Sequence, residues 1–384
     1  MQSLIWTFPA IMASSIMIGW AAEIAALHIS AGLALAILAL LQTLPEFGVE
    51  AFISWSGNTH LMLANLTGSL RLFVGLGWPV VFFIHFFSTR RGPKPRYVQM
   101  PRTFAVEATF LVFPLIHFFI ISRRDRMTLW DGIVLCAMYL LYLAYLNYQR
   151  LYLRHQAAEL DEAEEDLEGI PRRVAALGLS AQRFWMMIFF IIGGGVLLLA
   201  VHPFVEGLKG AAMAMGMSEF VFIQWIAPFA SEFPEKVTAF GWARRASKVP
   251  MAVFNMVSSS VNQWTLLAGF VPIVYSMSLG APAVIEFDHF QHTEISLTVA
   301  QSLLGVLFLA DLKFRWFEAI ALFGLWALQF FVPHTREWIT AVYVALSLIV
   351  AGRMVLSGRP PRAWVEFFRL NAWILRRWLK RASS

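Results

Sequence analysis

Two segments placed alike in the two halves of the chain each carry a Pro-Glu dipeptide inside an otherwise apolar stretch. The first runs Leu41-Gln42-Thr43-Leu44-Pro45-Glu46 and is followed by Ala64-Asn65-Leu66-Thr67-Gly68-Ser69. The second runs Ala230-Ser231-Glu232-Phe233-Pro234-Glu235 and is followed by Phe254-Asn255-Met256-Val257-Ser258-Ser259. Glu46 precedes Asn65 by 19 positions and Ser69 by 23, while Glu235 precedes Asn255 by 20 and Ser259 by 24, as one extra loop residue in the second copy would give. Proline within a spanning helix removes an amide donor and leaves carbonyl oxygens of the preceding turn free to face a cation. Glutamate adds a hard, charged oxygen, and a carboxylate at mid-membrane persists only where it pairs, binds an ion or carries a proton. Neutral Asn and Ser oxygens on the following helix can complete the shell of Ca²⁺ or Na⁺. The chemistry this predicts is cation binding between Glu46 and Glu235, with no cofactor implied.

The elements that must hold these residues follow from composition. The 384 residues are 59% hydrophobic and 14% charged, more apolar surface than a water-soluble core can hide. Apolar stretches near 5–26, 30–56, 60–87, 103–122, 128–148, 183–204, 215–243, 250–278, 293–311, 315–332 and 337–357 have the lengths that cross about 30 Å of hydrocarbon. The expectation is an all-α integral membrane protein of about ten or eleven transmembrane helices. An N-terminal half, 1–148, holds the first copy of the motif, and a C-terminal half, 183–357, holds the second. The stretch from Leu4 to Ala26 has no basic leader or small-residue cleavage site and reads as a retained helix. Cys136 is the single cysteine, which excludes an internal disulfide and a cysteine metal cage.

Residues 149–182 form a polar linker in which Glu159, Asp161, Glu162, Glu164, Glu165, Asp166 and Glu168 crowd together. They lack the alternating ligands and central glycine of a calcium loop and read as a solvated helix. The tail 358–384 interleaves Trp364, Phe367, Phe368, Trp373, Ile374 and Trp378 with Arg and Lys, which suits a helix lying on an anionic membrane face. The net charge of +6 is concentrated in Arg90, Arg91, Lys94, Arg96 and Arg102, in Arg244, Arg245 and Lys248, and in the tail. By the positive-inside rule these face the cytoplasm, with the N-terminus outside and the C-terminus inside. Arg123, Arg124 and Arg126 fall on the outer side and run against that orientation. The compact loops suit a bacterial inner membrane, and nucleic acid need not be invoked.

The two motifs resemble the alpha-repeats of the calcium/cation antiporter superfamily, the sodium/calcium-exchanger-like and cation/proton-exchanger-like transporters, which read Gly-Thr-Ser-x-Pro-Glu and then Gly-Asn-x-x-Gly-Ser-Asn. The resemblance covers about 60 residues in each half and the plan of two five-helix halves joined by a linker. It implies inverted-topology repeats, an ion site between the second, third, seventh and eighth spans, and alternating access by sliding of the first and sixth. It places the acidic ligands on Glu46 and Glu235 and the serine ligands on Ser69 and Ser259, next to Asn65 and Asn255. The small hydroxyl positions before proline become Gln42 and Thr43 in the first copy, Ser231 and the unusual extra acid Glu232 in the second. Four residues past the serine, where the family has a further Asn or Asp ligand, stand Phe73 and Gln263, the latter beside Asn262, so one ligand is missing.

Arg71, two residues past Ser69 in the middle of a span, needs an anionic partner. It is expected either to pair with Glu46, Glu50 or Glu232 and replace a bound cation, or to brace the bundle. Glu50 and Gln224, on spans carrying the motif, are candidates for gating or for lining the access route, whereas Glu23, Glu107 and Glu219 read as solvated helix ends. Asp288, His289, His292 and Glu294 read as an outer loop, not a metal site. Trp130, Tyr139, Tyr142 and Tyr145 suit interfacial belts or helix packing. The leading reading is a secondary antiporter moving Ca²⁺, Na⁺ or another cation against H⁺ or Na⁺. Two alternatives stand beside it: a degenerate transporter fold acting as sensor or scaffold, favoured by Arg71 and Phe73, and a membrane-embedded hydrolase using Glu232 and Glu235.

Overall fold

A computed structural model describes residues 2–28, 40, 43–89, 93–156, 167, 169–216, 219–332, 335–358 and 360–382. Gln42, Arg90, Arg91 and the acids at 159–166 and 168 lie outside the described residues. The first half contains helices Gln2–Ala26, Leu44–Trp55, Thr59–Leu72 continuing into Trp78–Ser88, Ala105–Phe110 with Val112–Arg124, and Leu129–Gln156. The second contains Leu179–Ala214, Glu219–Ser231 with Phe233–Ala243, Val249–Asn262 continuing into Ala268–Leu279, His289–Leu309 and Trp316–Phe331. Arg336–Leu356 and the tail helix Arg362–Ala382 follow. Among the described residues seven helices are long and apolar enough to cross a membrane. Of the other expected spans, 250–278 is helical throughout with a π-helical turn inside, 315–332 is short, 30–56 begins in residues outside those described, and the seventh is two half-helices meeting at Glu232, where Pro234 enters the first turn of the second piece.

The two halves are related element by element. Phe73–Gly77 and Gln263–Leu267 are both single π-helical turns, in the middle of the third and eighth spans. Two short antiparallel pairings were not foreseen in the sequence, because three-residue strands carry no readable alternation. Strand β1, Tyr97–Gln99, pairs with Lys313–Arg315, while β2, Arg126–Thr128, pairs with β3, Val284–Glu286. With Lys313–Arg315 as β4, a shift of 187 positions carries residue 97 to 284 and residue 126 to 313, so it turns one pairing into the other. Each half therefore reaches across and closes on the other. Five spans in a half leave the next half entering from the opposite face, which makes the repeats inverted.

Association in lipid depends on close packing more than on apolar burial, and small residues permit it. Helix Gln2–Ala26 lies along Leu179–Ala214, and Ser14 Oγ donates to the Gly193 carbonyl at 2.6 Å. A side chain at Gly68 would overlap the backbone carbonyl of Gln224, and Gly132 and Gly269 meet each other's carbonyls in the same way. Ile191, Leu198 and Leu199 are exposed on the outside of the bundle, where lipid replaces protein neighbours. The tail helix is fastened by Tyr145 Oη donating to Asn371 Oδ1 at 2.6 Å and by stacking of Tyr145 on Phe367.

Candidate cation site

Both motif helices begin beside the acids they carry. Pro45 occupies the first turn of Leu44–Trp55, where its missing N–H has no helical partner to lose, and Glu46 follows it into that turn. Glu232 precedes helix Phe233–Ala243 and Glu235 lies in its first turn. Helix N-termini present unpaired amides and a partial positive charge, which favours carboxylates there. Glu46, Glu232 and Glu235 are all fully buried.

The third and eighth spans bring hydroxyls and amides to these acids. Ser69 Oγ is within hydrogen-bonding reach of both Glu46 Oε1 and Glu232 Oε1. Gln263 Nε2 donates to Glu46 Oε2 at 2.8 Å, and lies 3.0 Å from Ser69 Oγ and 3.2 Å from Glu232 Oε1. Ser259 Oγ contacts Glu235 Oε1 and the Asn255 carbonyl, the latter at 3.0 Å. Asn262 Nδ2 donates to Thr43 Oγ1 at 2.6 Å, and that hydroxyl donates to the Leu40 carbonyl. Gln263 starts a π-helical turn, whose wider winding re-aims side chains relative to an α-helix. Glu235 Oε2, Asn262 Oδ1 and Gln263 Oε1 are buried acceptors with no hydrogen-bond partner, the kind of deficit a bound ion relieves.

The fixed cation against these acids is Lys236, which the sequence reading passed over. Its Nζ pairs with Glu232 Oε2 and stands 4.7 Å above the ring of Phe73. Phe73, at the position where the resemblance implies a further ligand, offers that ammonium an aromatic face. The Glu-x-x-x-Lys spacing of Glu232 and Lys236 on a helix was the available signal. Three carboxylates face one ammonium. Among the described residues no three His, Cys, Asp or Glu side chains form a compact metal cage, so a hard cation here would take the rest of its shell from Ser, Asn, Gln, backbone oxygens or water.

Arg71 does not pair with Glu46, Glu50 or Glu232. Two residues along a helix from Ser69, it faces nearly the opposite way and pairs with Glu294. Its Nε donates to the Thr67 carbonyl at 3.1 Å and its guanidinium lies 5.0 Å from the Trp225 ring. Glu294 also accepts from Gln224 and pairs with Arg336 Nε at 2.8 Å. Glu294 is therefore not in a solvated loop: the helix starts at His289, capped by Asp288, and Glu294 is buried where it meets both Arg71 and Arg336. Gln224 belongs to this cluster and not to the acids of the two motifs. Glu107, expected at a solvated helix end, is buried with Oε1 3.3 Å from Tyr142 Oη, and Tyr142 is buried as well. Ser231 turns back to the Pro228 carbonyl at 3.3 Å. Asn65 donates to Glu50 and not to Glu46.

A family model described as sodium/calcium exchanger protein matches residues 2–147 and 185–333. The crystal structure of the H⁺/Ca²⁺ exchanger CAX superposes with a TM-score of 0.86 at 32% identity, covering 97% of this chain and 91% of that one. The sodium-calcium exchanger NCX_Mj gives a TM-score of 0.57 at 20% identity over 85% of this chain and 96% of that one, a likeness of fold. An uncharacterised membrane protein of Methanocaldococcus jannaschii is 22% identical over 290 residues, 76% of this chain and 82% of that protein.

Proposed function

Because the chain belongs to the sodium/calcium exchanger family and is a membrane cation antiporter, we propose that it exchanges a divalent cation such as Ca²⁺ for protons through Glu46, Glu232 and Glu235. The observation that carries the reading is the position of Ser69 between Glu46 and Glu232. A serine hydroxyl has one hydrogen to donate, so both contacts are hydrogen bonds only when one carboxyl carries a proton and donates back. Protons thus hold the acids together when no cation does. With Lys236 opposing three carboxylates, the ionised site has two negative charges in excess, which one divalent cation or two protons neutralise. Ser69, Ser259, Gln263 and Asn262 supply neutral oxygens around that ion. The likeness to an H⁺/Ca²⁺ exchanger at 32% identity supports protons as the counter-ion.

The hydrolase reading of Glu232 and Glu235 is set aside, since the family is one of transporters. The test is Ca²⁺ uptake into proteoliposomes under an imposed pH gradient. Uptake by the native protein, lost in both Glu46→Gln and Glu235→Gln, is the expected result. Uptake driven by Na⁺ and indifferent to pH would replace protons with sodium as the counter-ion. Absence of flux of Ca²⁺, Na⁺, K⁺ or H⁺ under any gradient would leave a transporter fold serving as sensor or scaffold.

A further inference from the structure

The Glu46–Ser69 contact has a second rung one helical turn away. Glu50 follows Glu46 by four residues on Leu44–Trp55, and Asn65 precedes Ser69 by four on Thr59–Leu72. Asn65 Nδ2 donates to Glu50 Oε2. Both residues are buried, and Glu50 Oε1 and Asn65 Oδ1 have no hydrogen-bond partner. Ser54, four residues beyond Glu50 on the same face, is also fully buried with its Oγ unpartnered. Burying an acceptor without a partner is destabilising, more so for a charged group, so three in one column on two neighbouring helices need a reason.

Among the described side chains, which do not include that of Lys209 on the packed helix Leu179–Ala214, charged and titratable groups on the surrounding elements do not supply it. Arg71, on the helix of Asn65, is committed to Glu294, and His60 lies beside Asp288 at the helix end. His202, on the packed helix Leu179–Ala214, meets the ring of Phe52 edge-on at 5.0 Å. Glu206 on that helix, Glu46 on the helix of Glu50 and Tyr275 on Ala268–Leu279 bring no positive charge. The column runs from the central acids toward the exposed turn at Gly57 and Asn58. The second half lacks it, because Ala239 stands one turn past Glu235 where Glu50 stands one turn past Glu46. In inverted repeats, a feature present in one copy serves one face of the membrane.

We propose that Glu50, Asn65 and Ser54 form a second cation subsite, a way-station for the transported ion between the central acids and the face that carries the Gly57 turn. The inference rests on the reading of Glu46 and Glu235 as the central site. Glu50 Oε1, Asn65 Oδ1 and Ser54 Oγ are hard oxygen ligands, and water entering from the exposed turn completes the six to eight oxygens that a Ca²⁺-class ion takes. Having one carboxylate where the centre has three, the way-station binds more weakly, as an entry site must if ions are to pass on.

The test is equilibrium ⁴⁵Ca²⁺ binding to the full-length protein in nanodiscs, joined to uptake measured from each face of proteoliposomes. Native protein is expected to show a tight and a weaker phase. Glu50→Gln and Asn65→Ala should remove the weaker phase, keep the tight one within a few-fold, and raise KM by about tenfold from one face only. Asn65→Asp should tighten the weaker phase, which keeps the test decisive if Glu50→Gln folds poorly. Loss of the tight phase in Glu46→Gln with the weaker one retained would separate the two sites. Unchanged binding and an unchanged KM from both faces in Glu50→Gln would overturn the way-station. Loss of both phases in Glu50→Gln would overturn it too, making Glu50 a central ligand. A tight phase that survives Glu46→Gln and Glu235→Gln while the weaker one depends on Glu50 would instead fault the central reading.

Discussion

Lys236 and Glu232, four residues apart, close an ion pair inside the bundle, with the ammonium seated over the ring of Phe73. A fixed positive charge among three acids sets how much mobile positive charge the site takes up. Unit charges about 4 Å apart interact by roughly 4 kcal/mol at an effective dielectric constant of 20, enough to govern occupancy. Lys236→Met should therefore tighten Ca²⁺ binding by at least about tenfold, read by calorimetric titration of the purified protein. An unaltered affinity would assign Lys236 to packing alone.

Ser69 joins Glu46 to Glu232, and its removal leaves Gln263 as the remaining shared donor. Hydrogen bonds to charged groups contribute about 1.5–3 kcal/mol, which corresponds to a loss of about ten- to a hundredfold in cation affinity for Ser69→Ala. Calorimetric titration with Ca²⁺ checks this, and Ser69→Thr, which keeps the hydroxyl, should lose much less.

Arg71 and Glu294 pair across 223 positions of sequence in a buried cluster that includes Arg336. Breaking a buried pair from one side leaves an uncompensated charge at a cost of about 3–5 kcal/mol, whereas removing both partners costs less. Arg71→Met and Glu294→Gln should each lower the melting temperature in detergent, and the double variant should be less destabilised than the sum of the two. Strict additivity would show that the pair is not coupled.

Gly68 sits between Asn65 and Ser69 and touches the backbone of Gln224. Gly68→Ala must push helix Glu219–Ser231 away from Thr59–Leu72, displacing the half-helix that leads to Glu232. Uptake should fall by at least about tenfold while the protein still inserts, since a shift of about 1 Å at a site costs far more in function than in overall stability. Native flux in this variant would show that the two helices separate without disturbing the acids.

The sequence determined that the chain crosses a membrane many times, that its halves are copies, and that Glu46, Glu235, Ser69 and Ser259 stand at repeated spacings in them. Those facts are local: apolar run length, proline in a helix and a repeated spacing can each be read without knowing what packs on what. Even the pair of Glu232 and Lys236 lay within one turn of helix. The partner of Arg71 did not, because which way a side chain faces in a bundle depends on the rotation of its helix against neighbours hundreds of residues away. Glu294 looked like part of a polar loop until the arginines of two other helices were brought to it. Tertiary structure alone decided that Arg71 pairs with Glu294, that Gln263 joins the acids of both halves, and that Glu50 takes its hydrogen bond from Asn65 rather than from Arg71, since each depends on which helix faces are turned toward one another.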